Sequence, residues 1–250
     1  MLLTRAPRQM MSLLRRRYRA RQLHIPYTRS RDFRMPSEMW VAGTMRPIHA
    51  PHEGGATLAF SEIFLDDIYG TRHIRFPVRT VMDVGAHSGF FSLFARTRFP
   101  GATIHAYEPN PAMHPFLRTQ ADTGSFKFFG EALGAMAGRV SVAAAEDSVA
   151  TTVRRDDGGT VPMIPLASAI ERLGGSVDLL KLDCEGSEWE MIQDADAFEH
   201  VRYLGMEYHL VDGRTLDELI ATLGALGFRI LFAERNDLKY GILRAVKRGL

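Results

Sequence analysis

The sequence predicts a doubly wound α/β domain, a mostly parallel sheet with helices on both faces, closed by an antiparallel pair and preceded by a helical extension. Three observations carry this prediction. From Thr80 to Phe129, short β-rich runs alternate with segments of helical periodicity, the rhythm of parallel strands joined by crossover helices. Two of those strands run straight into turns marked by Gly85 and Pro109. The chain then finishes with two apolar runs joined around Asn236-Asp237, which reads as a hairpin.

Taken in order, residues 1–58 read as a basic arm with an irregular lead-in, and 59–250 as the main domain. Between Ser37 and about Gly55, Pro, Gly, His and polar residues mix without periodicity. Ala59 to Tyr69 has apolar residues at helical spacing and stops at Gly70, so it predicts a helix packed on the sheet. Thr80 to Val84 predicts a short buried strand, and Gly89 to Arg98 a helix. Ala102 to Tyr107 is a second strand, Pro111 to Ala121 a helix opening on proline, and Phe126 to Phe129 leads a third strand.

Arg139 to Pro165 interrupts the rhythm. Its β-branched pairs and the Asp157-Gly158-Gly159 turn predict strands or a hairpin inserted near the sheet edge. Leu166 to Leu173 is a helix ending at Gly174-Gly175. Val177 to Asp183 is a strand followed by a helix through about Gln193, and Val201 to Tyr208 is the next strand. Thr215 to Leu226 is an amphipathic helix stopped by Gly227, and Phe228 to Ala233 pairs with Tyr240 to Val246.

The first chemically informative stretch is Val81-Met-Asp-Val-Gly-Ala-His-Ser-Gly-Phe-Phe-Ser92. Gly85 and Gly89, at the junction of strand and helix, let backbone approach a ligand with no Cβ in the way; Ala86 and His87 fill the loop between them. The spacing is Gly-x-x-x-Gly rather than the dinucleotide pattern, and Asp83 lies beside it. An acidic residue there repels phosphate but suits the ammonium and amide edge of an amino-acid cofactor, which favours S-adenosylmethionine over NAD. About 20 residues further on, Ala106-Tyr-Glu-Pro-Asn-Pro111 ends the second strand. Glu108 is placed to accept hydrogen bonds from ribose hydroxyls, with Pro109 and Asn110 shaping the turn beneath the adenine.

A third segment, Asp178-Leu-Leu-Lys-Leu-Asp-Cys-Glu-Gly-Ser-Glu188, completes a pattern that resembles the FkbM family of methyltransferases. The resemblance spans roughly Phe60 to Ala245 and is most specific over Lys181 to Glu188; the arginine-rich arm and most of Arg139 to Pro165 lie outside it. It implies a Rossmann-like, seven-stranded methyltransferase sheet and transfer of a methyl group from S-adenosylmethionine to a hydroxyl oxygen of a small molecule, glycan or natural product. It also places Glu131 and Ala132, after the third strand, near the adenine.

Strand alternation puts Lys181, Asp183 and Glu185 on one face, with Asp183 pointing into the crevice at the carboxyl end of its strand. Lys181 needs a partner wherever it is buried, and an ion pair with Asp183 or Glu185 would serve. At the end of the next strand, in Leu204-Gly-Met-Glu-Tyr-His209, Glu207 and His209 reach the same crevice. His209 is the preferred general base, oriented by Glu207 or Asp183. The same three side chains are alternatively suited to a divalent cation that binds the acceptor oxygen, so a metal is open.

Composition narrows the classes. A net charge of +2 over 250 residues does not announce a nucleic-acid binder, and no apolar run approaches a membrane span. Cys184 stands alone, which excludes an intrachain disulfide framework and fits a reducing, cytoplasmic setting. Nine arginines (Arg5, Arg8, Arg15, Arg16, Arg17, Arg19, Arg21, Arg29 and Arg31) precede the first acidic residue, Asp32. Such an arm suits contact with an anionic surface or a partner subunit, and also has the look of an organelle transit peptide. The rival functions are an N-methyltransferase, a nucleotide-dependent oxidoreductase disfavoured by Asp83, and a non-catalytic adenosyl-binding partner.

Overall fold

The computed structural model describes residues 5–27, 33–143 and 152–249. Arg29, Arg31 and nearly all of the Ala-Ala-Ala-Glu-Asp-Ser148 stretch lie outside them. The lead-in comprises helix α1 (Arg5–Gln22), a hairpin of β1 (Glu38–Val41) and β2 (Thr44–Pro47), and helix α2 (Gly54–Phe60). The alternating half follows with β3 (Thr80–Val84), α3 (Phe90–Arg98), β4 (Thr103–Tyr107), α4 (His114–Gly124) and β5 (Lys127–Phe129). Four further strands, β6 (Ala132–Gly134), β7 (Gly138–Ala143), β8 (Thr152–Arg155) and β9 (Val161–Pro165), lead to α5 (Leu166–Leu173). The chain ends with β10 (Val177–Leu182), the short helices α6 (Glu188–Met191) and α7 (Ala195–Glu199), β11 (Val201–His209), α8 (Leu216–Ala225), β12 (Phe228–Arg235) and β13 (Tyr240–Lys247).

The main sheet is Rossmann-like, seven strands in the order β12-β13-β11-β10-β3-β4-β5. β11, β10, β3, β4 and β5 run parallel, while β13 is antiparallel to both its neighbours. From β3 the chain winds outward to β5, then returns to place β10 on the other side of β3. The order therefore reverses between β3 and β10, and an open α/β sheet offers its ligand crevice at the carboxyl ends of the strands there.

Side-chain alternation divides the core in two. Val81 joins a cluster with Phe60, Phe64, Phe90 and Phe94, whereas Met82 and Val84 join Leu180, Leu182, Phe198 and Leu223 on the opposite face. Burial on both faces explains why these strands read as near-continuous apolar runs. The lead-in belongs to the first cluster, through Ala20, Met39, Val41 and Ile48. Arg16 pairs with Asp66, and Arg19 donates to the Leu65 carbonyl at 2.6 Å, so α1 is tied to the segment that follows α2. No helix among the described residues is long and apolar enough to cross a membrane.

Three expectations are corrected or refined. The helix expected over Ala59 to Tyr69 begins earlier, at Gly54, and passes at Ser61 into a π-helical turn, Ser61–Asp66, ended by Asp67 at φ 56°. A π turn adds a residue to each ring of the ladder, which simple periodicity does not reveal. The described residues of Arg139 to Pro165 form the expected strands, but in a sheet separate from the main one. With β6 they make a four-stranded sheet, order β6-β9-β7-β8. The helix expected to follow β10 through about Gln193 is only the four residues of α6, because Glu185 (φ 54°) and Gly186 (φ 107°) bend the chain first. α8 forms as expected, with a capping box between Thr215 and Glu218.

Gly85, at φ 72°, is where β3 passes closest to β10: a Cβ there would lie 1.7 Å from the Asp183 carbonyl oxygen. Gly85→Ala should therefore destabilise the fold by about 1–3 kcal/mol from the backbone conformation alone, and more from the clash. Gly101→Ala, where a Cβ meets nothing within 4 Å, should stay within about 0.5 kcal/mol of wild type in urea denaturation.

Candidate active site

A cleft of about 720 Å³ opens at the carboxyl ends of β3, β4, β10 and β11, at the reversal of strand order. Its floor is the β3–α3 loop, Gly85 to Ser88, and its neighbouring wall is Tyr107-Glu108-Pro109 at the end of β4. Asp183, Cys184, Glu185 and Ser187 line it beyond β10, and Glu207 and His209 at the end of β11. The lead-in contributes Glu62, Ile63 and Tyr69, and the second sheet Val140, Val153, Arg155 and Met163.

Lys181 anchors the centre. Its side chain is 4% exposed, and its Nζ lies 3.4 Å from Asp83 Oδ1 and 3.3 Å from Asp183 Oδ2. It also donates to the carbonyls of Val84, at 3.2 Å, and Gly85. Burial alone would discharge the ammonium, but Asp183 and Asp83 outweigh it and hold its pKa above the usual lysine value. Asp83 Oδ2 accepts from the Ser92 backbone N–H and hydroxyl, at 3.1 and 2.7 Å, so one carboxylate joins α3 to the lysine.

Glu108 presents the most constrained carboxylate. Oε2 accepts from His87 N at 2.7 Å and Oε1 from Asn110 N at 2.8 Å, while the side chain remains at the cleft wall. Burial raises its pKa against the pull of these two N–H groups. Two fixed donors leave the outer lone pairs of each oxygen free for a ligand's hydroxyls. Pro109, Ala132 and Glu131 line the cleft beside it, and Glu131 is paired with Arg172 at 2.6 Å. Arg172 in turn lies 4.4 Å from the Phe129 ring centroid.

Opposite lies a cluster of proton-binding groups. Glu207 is pushed up to about 8, by burial first and then by Asp183; Glu185 is pushed up to about 7, again chiefly by burial. For His209 burial opposes the charge, but the hydrogen bond and charge of Glu188, with Glu185 and Asp183, raise it to about 9. Its Nδ1 lies 3.3 Å from Glu188 Oε1 and its Nε2 3.4 Å from Glu185 Oε2. These two contacts hold the His209 ring from both nitrogens and favour its charged form. Among the described residues no group of three His, Cys, Asp or Glu has the geometry to hold a metal ion.

The structure brings Gly85, Ala86, His87, Glu108, Pro109, Glu131, Ala132, Asp183, Glu207 and His209 to one cleft. Three expected ligand residues sit behind it instead. Asp83 is fully buried and faces Lys181 and Ser92, so it holds the loop from beneath. Gly89 is the αL residue that starts α3, and its missing Cβ makes room for Leu117, at 2.7 Å. Asn110 spends its side-chain oxygen on Ala112 N at 3.0 Å, capping the turn. Sequence reasoning missed Tyr69 and Glu62. Their segment reads as an amphipathic helix, and only its docking against β10 and β11 reveals that it also walls the cleft.

Residues 83–230 match the family described as the methyltransferase FkbM domain. The 31-O-demethyl-FK506 methyltransferase FkbM of Streptomyces tacrolimicus is 30% identical, over 75% of this chain and 87% of that protein. Among solved structures, Aeropyrum pernix fibrillarin in complex with S-adenosyl-L-methionine aligns at a TM-score of 0.46 and 15% identity, covering 76% of this chain and 74% of that one. The precorrin-6y C5,15-methyltransferase of Geobacter metallireducens aligns at 0.45 and 15%, covering 73% and 86%.

Glu185, Glu207 and His209 all hold protons more tightly than in an unfolded chain. A raised folded pKa contributes stability that is complete below the unfolded value, 4.5 for the glutamates and 6.5 for histidine, and lost as pH rises through about 7, 8 and 9. The melting temperature of the ligand-free protein should fall between pH 6.5 and 9, and fall less steeply in Glu207→Gln. A melting temperature that stays flat over this window in wild type would contradict the raised proton affinities.

Proposed function

The chain belongs to the FkbM family of S-adenosylmethionine-dependent methyltransferases, and we propose that it methylates a hydroxyl oxygen of a small organic acceptor. The observation that carries the proposal is the cluster of Asp183, Glu207 and His209 at the strand ends, across one cleft from the Glu108 carboxylate. The name of the Streptomyces tacrolimicus relative, a 31-O-demethyl-FK506 methyltransferase, supports oxygen and a small organic acceptor.

The residues present fit S-adenosylmethionine. The cleft carries acidic side chains at Glu108, Glu131 and Asp183 around the Gly85 to Ser88 loop, which suits a cationic ligand better than a diphosphate. In this reading Glu108 accepts from the ribose hydroxyls, Gly85, Ala86 and His87 border the amino-acid end, and Pro109, Glu131 and Ala132 border the adenine. When bound, the cofactor supplies an electrophilic methyl group on a positively charged sulfur.

The protein's own contribution is then placement and proton handling. Rate comes largely from holding the acceptor in line, so the walls from the lead-in and second sheet matter as much as any base. Methylation of a hydroxyl releases one proton. In this reading Asp183, Glu207 and His209 are the groups placed to receive it, with Glu188 and Glu185 holding the His209 ring. Because Glu207 and Glu185 ionise between about 7 and 8, turnover should rise across that interval.

Calorimetric titration with S-adenosylmethionine and S-adenosylhomocysteine, with and without EDTA or magnesium, tests the cofactor half. Glu108→Ala should weaken both ligands roughly tenfold or more, the loss expected for hydrogen bonds to a charged group. A screen of hydroxylated and amino acceptors, read as isotope-labelled methyl transfer, tests the other half. Labelled amine products alone would replace oxygen by nitrogen. Cofactor binding without transfer to any acceptor, unchanged in Asp183→Asn and His209→Ala, would indicate a non-catalytic adenosyl-binding protein.

A further inference from the structure

Tyr69 is buried at the inner end of the cleft, and its hydroxyl donates to Asp183 Oδ2 at 2.8 Å. The same oxygen lies 3.3 Å from Lys181 Nζ. Among the described residues nothing bonds Oδ1, and the Asp183 side chain is 24% exposed where it lines the cleft.

The tyrosine is itself tightly fixed. Its ring packs edge-on against Phe91, with centroids 5.1 Å apart, and Lys181 Nζ lies 5.6 Å from its centroid. Its carbonyl accepts from the Tyr203 hydroxyl at 3.2 Å, and Arg244 donates to the preceding carbonyl, Ile68, at 2.7 Å. Gly205, in the middle of β11, leaves the space: a Cβ there would lie 2.9 Å from the Tyr69 carbonyl oxygen. Asp67 secures the following turn by accepting from the Thr71 N–H and hydroxyl, both at 2.9 Å. A phenol held this rigidly can hold what it donates to.

We infer that Tyr69 is a positioning residue: with Lys181 it occupies Oδ2 of Asp183 and turns Oδ1 toward the cleft, where the carboxylate meets the positive charge of the bound methyl donor. This rests on the binding of S-adenosylmethionine in the cleft but not on the nature of the acceptor. Both neighbours of Oδ2 are donors, which an ionised carboxylate accepts best. Glu207 and Glu62, which line the same wall, make no hydrogen bond to Asp183, so among the described residues Tyr69 and Lys181 are the donors that set the orientation of its carboxylate.

The test compares the dissociation constants of S-adenosylmethionine and S-adenosylhomocysteine, which differ by the methyl group and the charge on sulfur. Their ratio in wild type is measured by calorimetry beside Tyr69→Phe, Asp183→Asn and the double variant, with melting temperatures recorded for each. Tyr69→Phe keeps the ring contacts and should shift the ratio against S-adenosylmethionine by roughly threefold to tenfold. Affinity for S-adenosylhomocysteine should stay within about twofold. Asp183→Asn should shift the ratio at least as far, and adding Tyr69→Phe to it should shift it no further. An unchanged ratio in Tyr69→Phe, equal weakening of both ligands, or additive shifts in the double variant would each overturn the inference while leaving the methyltransferase reading intact. If Asp183→Asn does not fold, the ratio in Tyr69→Phe decides alone. Failure of folded wild type to bind either ligand would overturn both readings together.

Discussion

An ammonium taken out of water must be surrounded by oxygen, and Lys181 imposes that demand on the centre of the molecule. Its partners come from one strand and two loops: Asp83 and the Val84 carbonyl on β3, the Gly85 carbonyl just beyond it, and Asp183 just beyond β10. Removing one partner of a buried set leaves the others uncompensated, so the group is conserved or lost as a unit in energetic terms. Because those partners lie at the point where strand order reverses, the geometry of the cleft floor follows from satisfying one charge. The tight turn at Gly85 is part of the same solution, since a side chain there would displace the Asp183 backbone.

The proton-binding cluster at the end of β11 shows the opposite arrangement. Glu62, Glu185 and Glu207 have no comparable set of donors, and burial leaves them with raised proton affinity. His209 offsets part of that negative charge, held by Glu188 and Glu185, and its carbonyl accepts from the Trp189 indole at 2.6 Å. One side of the cleft is thus held by close ion pairs, and on the other burial raises proton affinity. A site that must accept a cation and later dispose of a proton benefits from both properties.

Much of this was legible in the sequence because each strand is buried on both faces and each helix has its own punctuation. Gly174 and Gly227 stop α5 and α8 where expected, and the Thr215–Glu218 capping box opens α8. The strand-end motifs located Glu108, Asp183, Glu207 and His209 because parallel strands deliver their carboxyl ends to one place. What remained hidden depends on three-dimensional neighbours. A pattern of residues cannot say that Asp83 would turn inward to Lys181, nor that the π-helical turn over Ser61–Asp66 would rotate Glu62 into the cleft. Proton affinities were hidden for the same reason: His209 differs from an ordinary histidine only through Glu188 and Glu185, and that contact depends on the αL bend at Glu185. The second sheet was legible only as strands, because β-branched runs specify strands but not which sheet receives them.

The second sheet enters and leaves the main domain at nearly the same place. Only Gly130 and Glu131 separate β6 from β5, and β9 runs directly into α5. Between those points the described residues 132–143 and 152–165 build a wall of the cleft, with Val140, Val153, Arg155 and Met163 at its surface, in a sheet separate from the seven-stranded one. Such a module shares no strand pairing with the main sheet among the described residues. Insertions, deletions and wholesale replacement within it can reshape what the cleft admits without touching the Lys181 network or the Glu108 turn. Descendants of one ancestral enzyme can in this way diverge in selectivity while inheriting the same catalytic floor.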